Sequence, residues 1–243
     1  MKRIILPTDF SDNAYNAIRY AVKLFKDVKC TFYLLHTYTP AIYQAEYVLH
    51  SPGQIGLGDI YQENSLNQLN ELKKKVTSEF NNKNHTFMVH SAFNILVDEI
   101  VETAKKENAD LVIMGTQGAT GAKEIFIGTN TVHVIKRGCC PILAIPPNVE
   151  FEVPKEILFP TDFEIDYQKE QLNEIMDLSA RFKSKINVMH VSSGYDLNDT
   201  QLKNKAKLDS LLGTTPHLLE PIIKKLGFHE TIPFLVIPSH KNN

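Results

Sequence analysis

Glycines and hydroxyl residues at fixed intervals mark the stretch of this sequence best suited to chemistry. Two residues separate Gly115 from Gly118, nine separate Gly118 from Gly128, and Thr129, Asn130 and Thr131 follow at once. Glycine accepts positive φ and lets a backbone approach a ligand closely. Where such a loop runs into a helix, the first N–H groups lack helical partners and carry the positive end of the dipole, which suits a phosphate. The hydroxyls of Thr129 and Thr131 would add donors. The loop fits neither Gly-x4-Gly-Lys-Ser/Thr nor Gly-x-Gly-x-x-Gly, and a plain strand-to-helix connection would also use glycine.

Other reactive residues are scattered. Asp9, in Pro7-Thr8-Asp9, is a candidate ligand carboxylate, with helix capping or turn formation as the alternative. His36 sits in a strand-like run, where a hydrogen-bonded core histidine is the alternative to a catalyst. His133 lies near Cys139 and Cys140, but the spacing matches no zinc pattern. The adjacent cysteines read as small buried residues rather than a redox pair. With Cys30 they make three, too few for a disulfide framework. No nucleophile–base–acid set and no carboxylate pair on one helix face is evident, which argues against a dedicated enzyme.

The elements that must position the loop alternate along residues 1–147. A strand over Arg3–Leu6 precedes a helix over Asp12–Lys26 with Ala14, Ile18, Ala21, Val22 and Phe25 on one face. Thr31–Tyr38 reads as strand, Thr39–Gly58 as loop and Asp59–Phe80 as helix. Thr86–His90 (strand), Asn94–Lys106 (helix) and Asp110–Met114 (strand) lead into the glycine loop. Thr129–Arg137 (helix) and Ile142–Ile145 (strand) follow it. Strands alternating with helices imply an α/β, doubly wound parallel sheet of five strands, because parallel neighbours need crossover connections. Ligands of such sheets lie beyond the carboxyl ends of the strands.

The chain repeats itself. Ile-Ile-Leu-Pro-Thr-Asp-Phe at 4–10 returns as Ile-Leu-Phe-Pro-Thr-Asp-Phe at 157–163. His36 is matched by His190, and Pro141–Pro146 by Pro233–Pro238. Two tandem copies are expected, 1–147 complete and 154–243 reduced. The second, with strands at Ile157 and at Ile186–Val191 and a helix over Asp166–Phe182, has no glycine loop. It is expected to lack the second helix, third strand, third helix and fourth strand as well. Leu218, Leu219, Ile222, Ile223 and Leu226 are spaced for its last helix.

Composition excludes several classes. The chain has 243 residues, is 43% hydrophobic and 22% charged, and carries a net charge of −2. It is neither collagenous nor wholly disordered. No basic face is expected, so nucleic acid is a poor partner. No apolar run reaches a membrane span, and the basic start is too short on apolar residues for a signal peptide, so the expected location is cytoplasmic.

The spacing Gly115-x2-Gly118-x9-Gly128-Thr129 resembles the ATP-binding signature of universal stress proteins. Pro7-Thr8-Asp9, Ala109–Gly115 and Cys140–Pro146 look like that family's first strand–helix loop, fourth strand and last strand. The resemblance implies the adenine nucleotide α-hydrolase-like fold and a site for ATP or AMP, with Mg2+ as an accompanying cation. Pro7, Thr8 and Asp9 would line the adenosine pocket and Thr37 would offer backbone to adenine. Met114 and Gly115 would border the ribose, and Gln117, Gly118, Gly128, Thr129, Asn130 and Thr131 would surround the phosphates. Many members have a basic or histidine residue where Gln117 stands, and Lys123 is a candidate substitute within this loop, with a solvated side chain as the alternative. The family commonly pairs through its last strands. That implies an intrachain pseudo-dimer through residues 142–145 and 234–237, alongside the option of a homodimer. The expected function is a nucleotide-dependent stress-response or signalling module with at most slow ATP hydrolysis. A nucleotide-free interaction protein, or an enzyme of the related adenylylating or flavoprotein-subunit type, are the alternatives.

Overall fold

A computed structural model describes residues 1–38, 57–116, 128–190, 196–221 and 233–236. The chain divides into two compact units, the first ending at Phe151 and the second running from Glu152 to Phe228. The C-terminal strand groups with the first.

The first unit alternates as its periodicity requires: β1 (Lys2–Pro7), α1 (Asp12–Leu24), β2 (Cys30–Thr37), α2 (Leu57–Phe80), β3 (His85–Ala92), α3 (Leu96–Glu107), β4 (Leu111–Gly115), α4 (Thr129–Arg137) and β5 (Ile142–Ile145). A further strand, β9 (Phe234–Val236), completes a sheet of order β3-β2-β1-β4-β5-β9. The first five strands run parallel. β9 lies antiparallel to β5, with Ile142 opposite Val236 and Ala144 opposite Phe234. It covers an edge that β5 would otherwise expose.

β1, β4 and β5 are buried on both faces, as central parallel strands must be. Ile5, Val112, Met114 and Ile142 pack with Val97, Ile100 and Ala104 of α3 and Val134 of α4. α1 buries Ala14, Ala17, Ile18, Ala21 and Val22 at helical spacing. Its N-cap is Ser11, whose side chain accepts from the Ala14 N–H at 3.2 Å. α4 ends on Gly138 at φ 54, a left-handed C-cap that glycine adopts without a Cβ clash.

The second unit contains β6 (Glu156–Thr161), α5 (Lys169–Phe182), β7 (Lys185–His190), α6 (Asp199–Leu212) and β8 (His217–Pro221). Its strands form a parallel sheet of order β6-β7-β8. Ile186 and Val188 meet Leu172, Ile175, Leu208 and Leu212 in a separate core.

Here two expectations are corrected. Leu218 and Leu219 belong to strand β8 and not to a last helix. The other three residues assigned to that helix (Ile222, Ile223 and Leu226) lie outside the described residues. A short apolar run fits either period, and Pro221, which lacks an N–H, suits a strand end better than a helix interior. The second unit also keeps a second helix and a third strand, as α6 and β8. Its described elements therefore match β1-α1-β2-α2-β3 in kind, order and pairing. No counterpart of α3 and β4 is found among the described residues.

Candidate functional site

The chain passes from β1 to β2 on one side of the sheet and later returns to β4 on the other. The carboxyl ends of β1 and β4 therefore flank a switch point, where successive connections leave in opposite directions and open a crevice.

One wall is the turn after β1. Thr8 N–H donates to the Leu35 carbonyl at 2.8 Å and extends the β1–β2 ladder by one bond. The Thr8 hydroxyl, on a residue only 6% exposed, accepts from Phe10 N–H at 3.0 Å. The exposed Asp9 carboxylate accepts from the N–H and the hydroxyl of Ser11, at 3.1 and 2.5 Å. Asp9 thus steadies the residue that caps α1, and its structural role is real whether or not it meets a ligand. Phe10 adopts φ 63, a region a bulky residue enters only under constraint. Its ring sits 4.5 Å from that of His36.

The opposite wall is the end of β4 and the start of α4. Thr116 N–H donates to the Ile145 carbonyl at 3.0 Å. Gly128 N–H donates to the Thr116 carbonyl at 2.5 Å, pinning the helix start beside the strand end. The first bond inside α4 runs from Val132 N–H to Gly128 O, so the amides of Thr129, Asn130 and Thr131 precede the helical ladder. The N-cap residue is Gly128, which has no side chain to accept from these amides. Thr129 and Asn130 are exposed, whereas Thr131 is 2% exposed and donates its hydroxyl to Gly115 O at 3.1 Å. That hydroxyl ties the helix to β4 and is not a spare donor, contrary to the expectation. Gln117, Gly118 and Lys123 lie outside the described residues.

Pro7 ends β1 and leads into Thr8 and Asp9, Met114 and Gly115 end the neighbouring strand β4, and Gly128 precedes Thr129, Asn130 and Thr131 at the start of α4; Met114 itself is packed in the core. Thr37 ends the neighbouring strand β2, where it pairs in register with Ala92. Sequence reading missed Asn13, which packs against Gly115 from α1. It also missed a polar chain behind His36. His36 Nδ1 is 2.8 Å from Ser65 Oγ, which is 2.7 Å from Ser91 Oγ. Burial holds the His36 imidazole below its usual pKa, against the opposing charge of Asp9. Nothing in local sequence signals Ser65, because the register of α2 on the sheet decides what it meets.

The second unit repeats the turn. Phe163 has φ 59, its N–H donates to Thr161 Oγ1 at 2.9 Å, and its ring stacks on His190 at 5.3 Å. Glu164 N–H donates to Asp162 at 3.0 Å. Here, however, α6 reaches the turn. Gln201 donates to the Asp162 carbonyl and Asn204 to the Phe163 carbonyl, at 2.9 and 2.8 Å.

Strand order and crossover connections define a doubly wound α/β protein whose switch point falls between β1 and β4. The model of the universal stress protein family matches residues 1–146, and the chain belongs to that family. Universal stress protein MJ0531 of Methanocaldococcus jannaschii is 32% identical over 145 residues, covering 59% of this chain and 81% of the relative. MJ0577 of the same organism is 34% identical over 157 residues, covering 59% and 94%. The MJ0577 structure matches with TM-score 0.51 and 29% identity, over 61% of this chain and 98% of that one. A universal stress protein from Archaeoglobus fulgidus shares the fold over 90% of this chain and 77% of its own, with TM-score 0.65 and 18% identity. Among the described residues no helix is long and apolar enough to cross a membrane.

Proposed function

We propose that the first unit binds one adenine nucleotide, ATP or AMP, and that the protein works as a nucleotide-dependent stress-response or signalling module. The observation that carries this reading is the convergence of two backbone features on the switch point. The hydrogen-bonded Thr8–Ser11 turn follows β1, and α4 starts after the adjacent strand β4 with the side-chain-free Gly128 at its N-cap. The leading amides of α4 suit phosphate oxygens, and the turn and Gly115 form the adjoining wall for the nucleoside. Pro7, Thr8 and Asp9 would line the adenosine, with Thr37 offering backbone to the base and Met114 and Gly115 bordering the ribose. Gly128, Thr129, Asn130 and Thr131 would meet the phosphates through backbone N–H groups. Gln117 and Gly118 belong to the same reading by sequence. Mg2+ would ride on the phosphates, with Asp9 a candidate carboxylate to assist it.

In the same reading the second unit is a shortened second copy, and β5–β9 pairing is the intrachain form of a dimer contact. Its turn carbonyls are already engaged by Gln201 and Asn204, which supports one nucleotide per chain.

Calorimetric titration of the full chain with ATP and with AMP tests the proposal, alongside Gly118→Val. Binding at one site, lost in the variant while the fold persists, is expected. No binding at millimolar nucleotide overturns the reading in favour of an interaction protein. Rapid turnover requiring a second substrate overturns it in favour of an enzyme.

A further inference from the structure

Cys139 and Cys140 stand at the far end of α4 from its leading amides, between the left-handed C-cap Gly138 and β5. Their positions differ in a way the sequence does not show. Cys140 is 8% exposed and sits in the core with Ala104, Val112 and Ile142. Cys139 is half-buried at the edge of that core. The two sulfurs are 4.0 Å apart. The third cysteine, Cys30, is 1% exposed within β2.

The surroundings of the pair are asymmetric. The contact between the two thiols, either of which can donate, favours a thiolate at Cys139, as do the N–H groups of Cys140 and Cys139 and the charge of Lys105. Together they outweigh burial and lower the Cys139 pKa. The same hydrogen bond, burial and the carboxylate of Asp110 raise that of Cys140. The half-buried Cys139 sulfur is the more accessible of the two, with the buried Cys140 sulfur 4.0 Å from it.

We propose that Cys139–Cys140 is a redox-active dithiol, with Cys139 attacking a hydroperoxide and Cys140 resolving the product into a vicinal disulfide. In the first step the Cys139 sulfur forms an S–O bond as the O–O bond breaks. The departing oxygen takes a proton and leaves as water or alcohol. In the second, the Cys140 sulfur forms the S–S bond as the S–O bond of Cys139 breaks, and the hydroxide leaving takes the Cys140 proton as water. The two sulfurs are oxidised and the peroxide is reduced by two electrons. Closing the sulfurs from 4.0 Å to about 2 Å needs side-chain rotation and adjustment of the intervening peptide. The helix has already ended at Gly138, so no helical hydrogen bond opposes that adjustment.

The test uses the full chain at neutral pH with limiting hydrogen peroxide, then alkylation and peptide mass spectrometry. The wild type is expected to lose two hydrogens in the peptide holding both cysteines, reversibly with a dithiol reductant. Before oxidation, Cys139 should alkylate about tenfold faster than Cys30. Cys140→Ser should stop at a sulfenic acid on Cys139, trapped by dimedone. Equal alkylation rates at Cys139 and Cys30, or a disulfide only between chains, overturn the proposal. Both wild-type readouts are independent of how the variant folds.

Discussion

The side chain of Asn13 fills the space that a side chain at Gly115 would occupy. A Cβ at Gly115 would overlap Asn13 Nδ2 and stand 3.1 Å from its Cγ and 3.3 Å from its carbonyl oxygen. A larger residue at the end of β4 would therefore have to push the Asn13 amide aside and crowd the α1 backbone, quite apart from any ligand. Gly115→Ala should destabilise the first unit by about 1–3 kcal/mol, the usual cost of overpacking. Asn13→Ala in the same chain should recover part of the loss. Urea unfolding of the two single variants and the double variant measures this.

The turn after β1 separates a structural from a binding contribution. Ser11→Ala removes the α1 cap and should cost about 1 kcal/mol with nucleotide affinity retained. Asp9→Ala loosens the same cap and also removes the carboxylate at the crevice, so it should weaken nucleotide binding as well. Thermal unfolding and calorimetry on both variants distinguish the two roles. Equal affinity in Asp9→Ala and wild type would restrict Asp9 to the turn.

Two half-buried histidines set an acid limit. His36 and His85 both titrate below the usual 6.5, each because burial disfavours the cation. The backbone carbonyl of Phe25 opposes that shift at His85. A depressed pKa means the unfolded chain binds protons first, so stability is full above 6.5 and falls as pH drops through that value. The midpoint of urea unfolding should decline between pH 7 and pH 5. His85→Gln, which keeps a donor toward Phe25 O, should flatten the decline.

Glu99 acts in a lower window. It is 8% exposed; burial raises its pKa, but hydrogen bonds from Asn94 and His90 outweigh this and lower it overall. His90 Nε2 lies 2.6 Å from the carboxylate and Asn94 Nδ2 2.9 Å. Its stabilisation is present above the usual 4.5 and is lost as pH falls through the depressed value. Glu99→Ala leaves His90, Asn94 and Thr103 without their carboxylate partner and should cost about 1–3 kcal/mol at pH 7, measured by denaturant unfolding.

In the second unit, Asn204→Ala should cost about 1–3 kcal/mol, because it deprives the Phe163 carbonyl of a buried donor. If nucleotide stoichiometry remains one per chain in that variant, the second turn lacks more than access.

The sequence by itself determined the first unit's element order, because apolar periods differ between buried strand and amphipathic helix. Ile4–Leu6 and Leu111–Met114 read as central strands, and Ala14, Ile18 and Ala21 as a helix face. The spacing of Gly115, Gly118 and Gly128 and the recurrence of Pro-Thr-Asp-Phe are also local facts, and the recurrence located the second turn. Local pattern failed at Leu218 and Leu219, where a short apolar run fits two periods and only pairing with β7 selects the strand. Contacts between distant elements were equally invisible. Asn13 meets Gly115, Ser65 meets His36, and Thr131 turns its hydroxyl back to Gly115 only once helices are laid on the sheet. The unequal fates of Cys139 and Cys140 arise the same way. Neighbours in sequence share a composition, but the end of a helix and the start of a strand point their side chains into different surroundings.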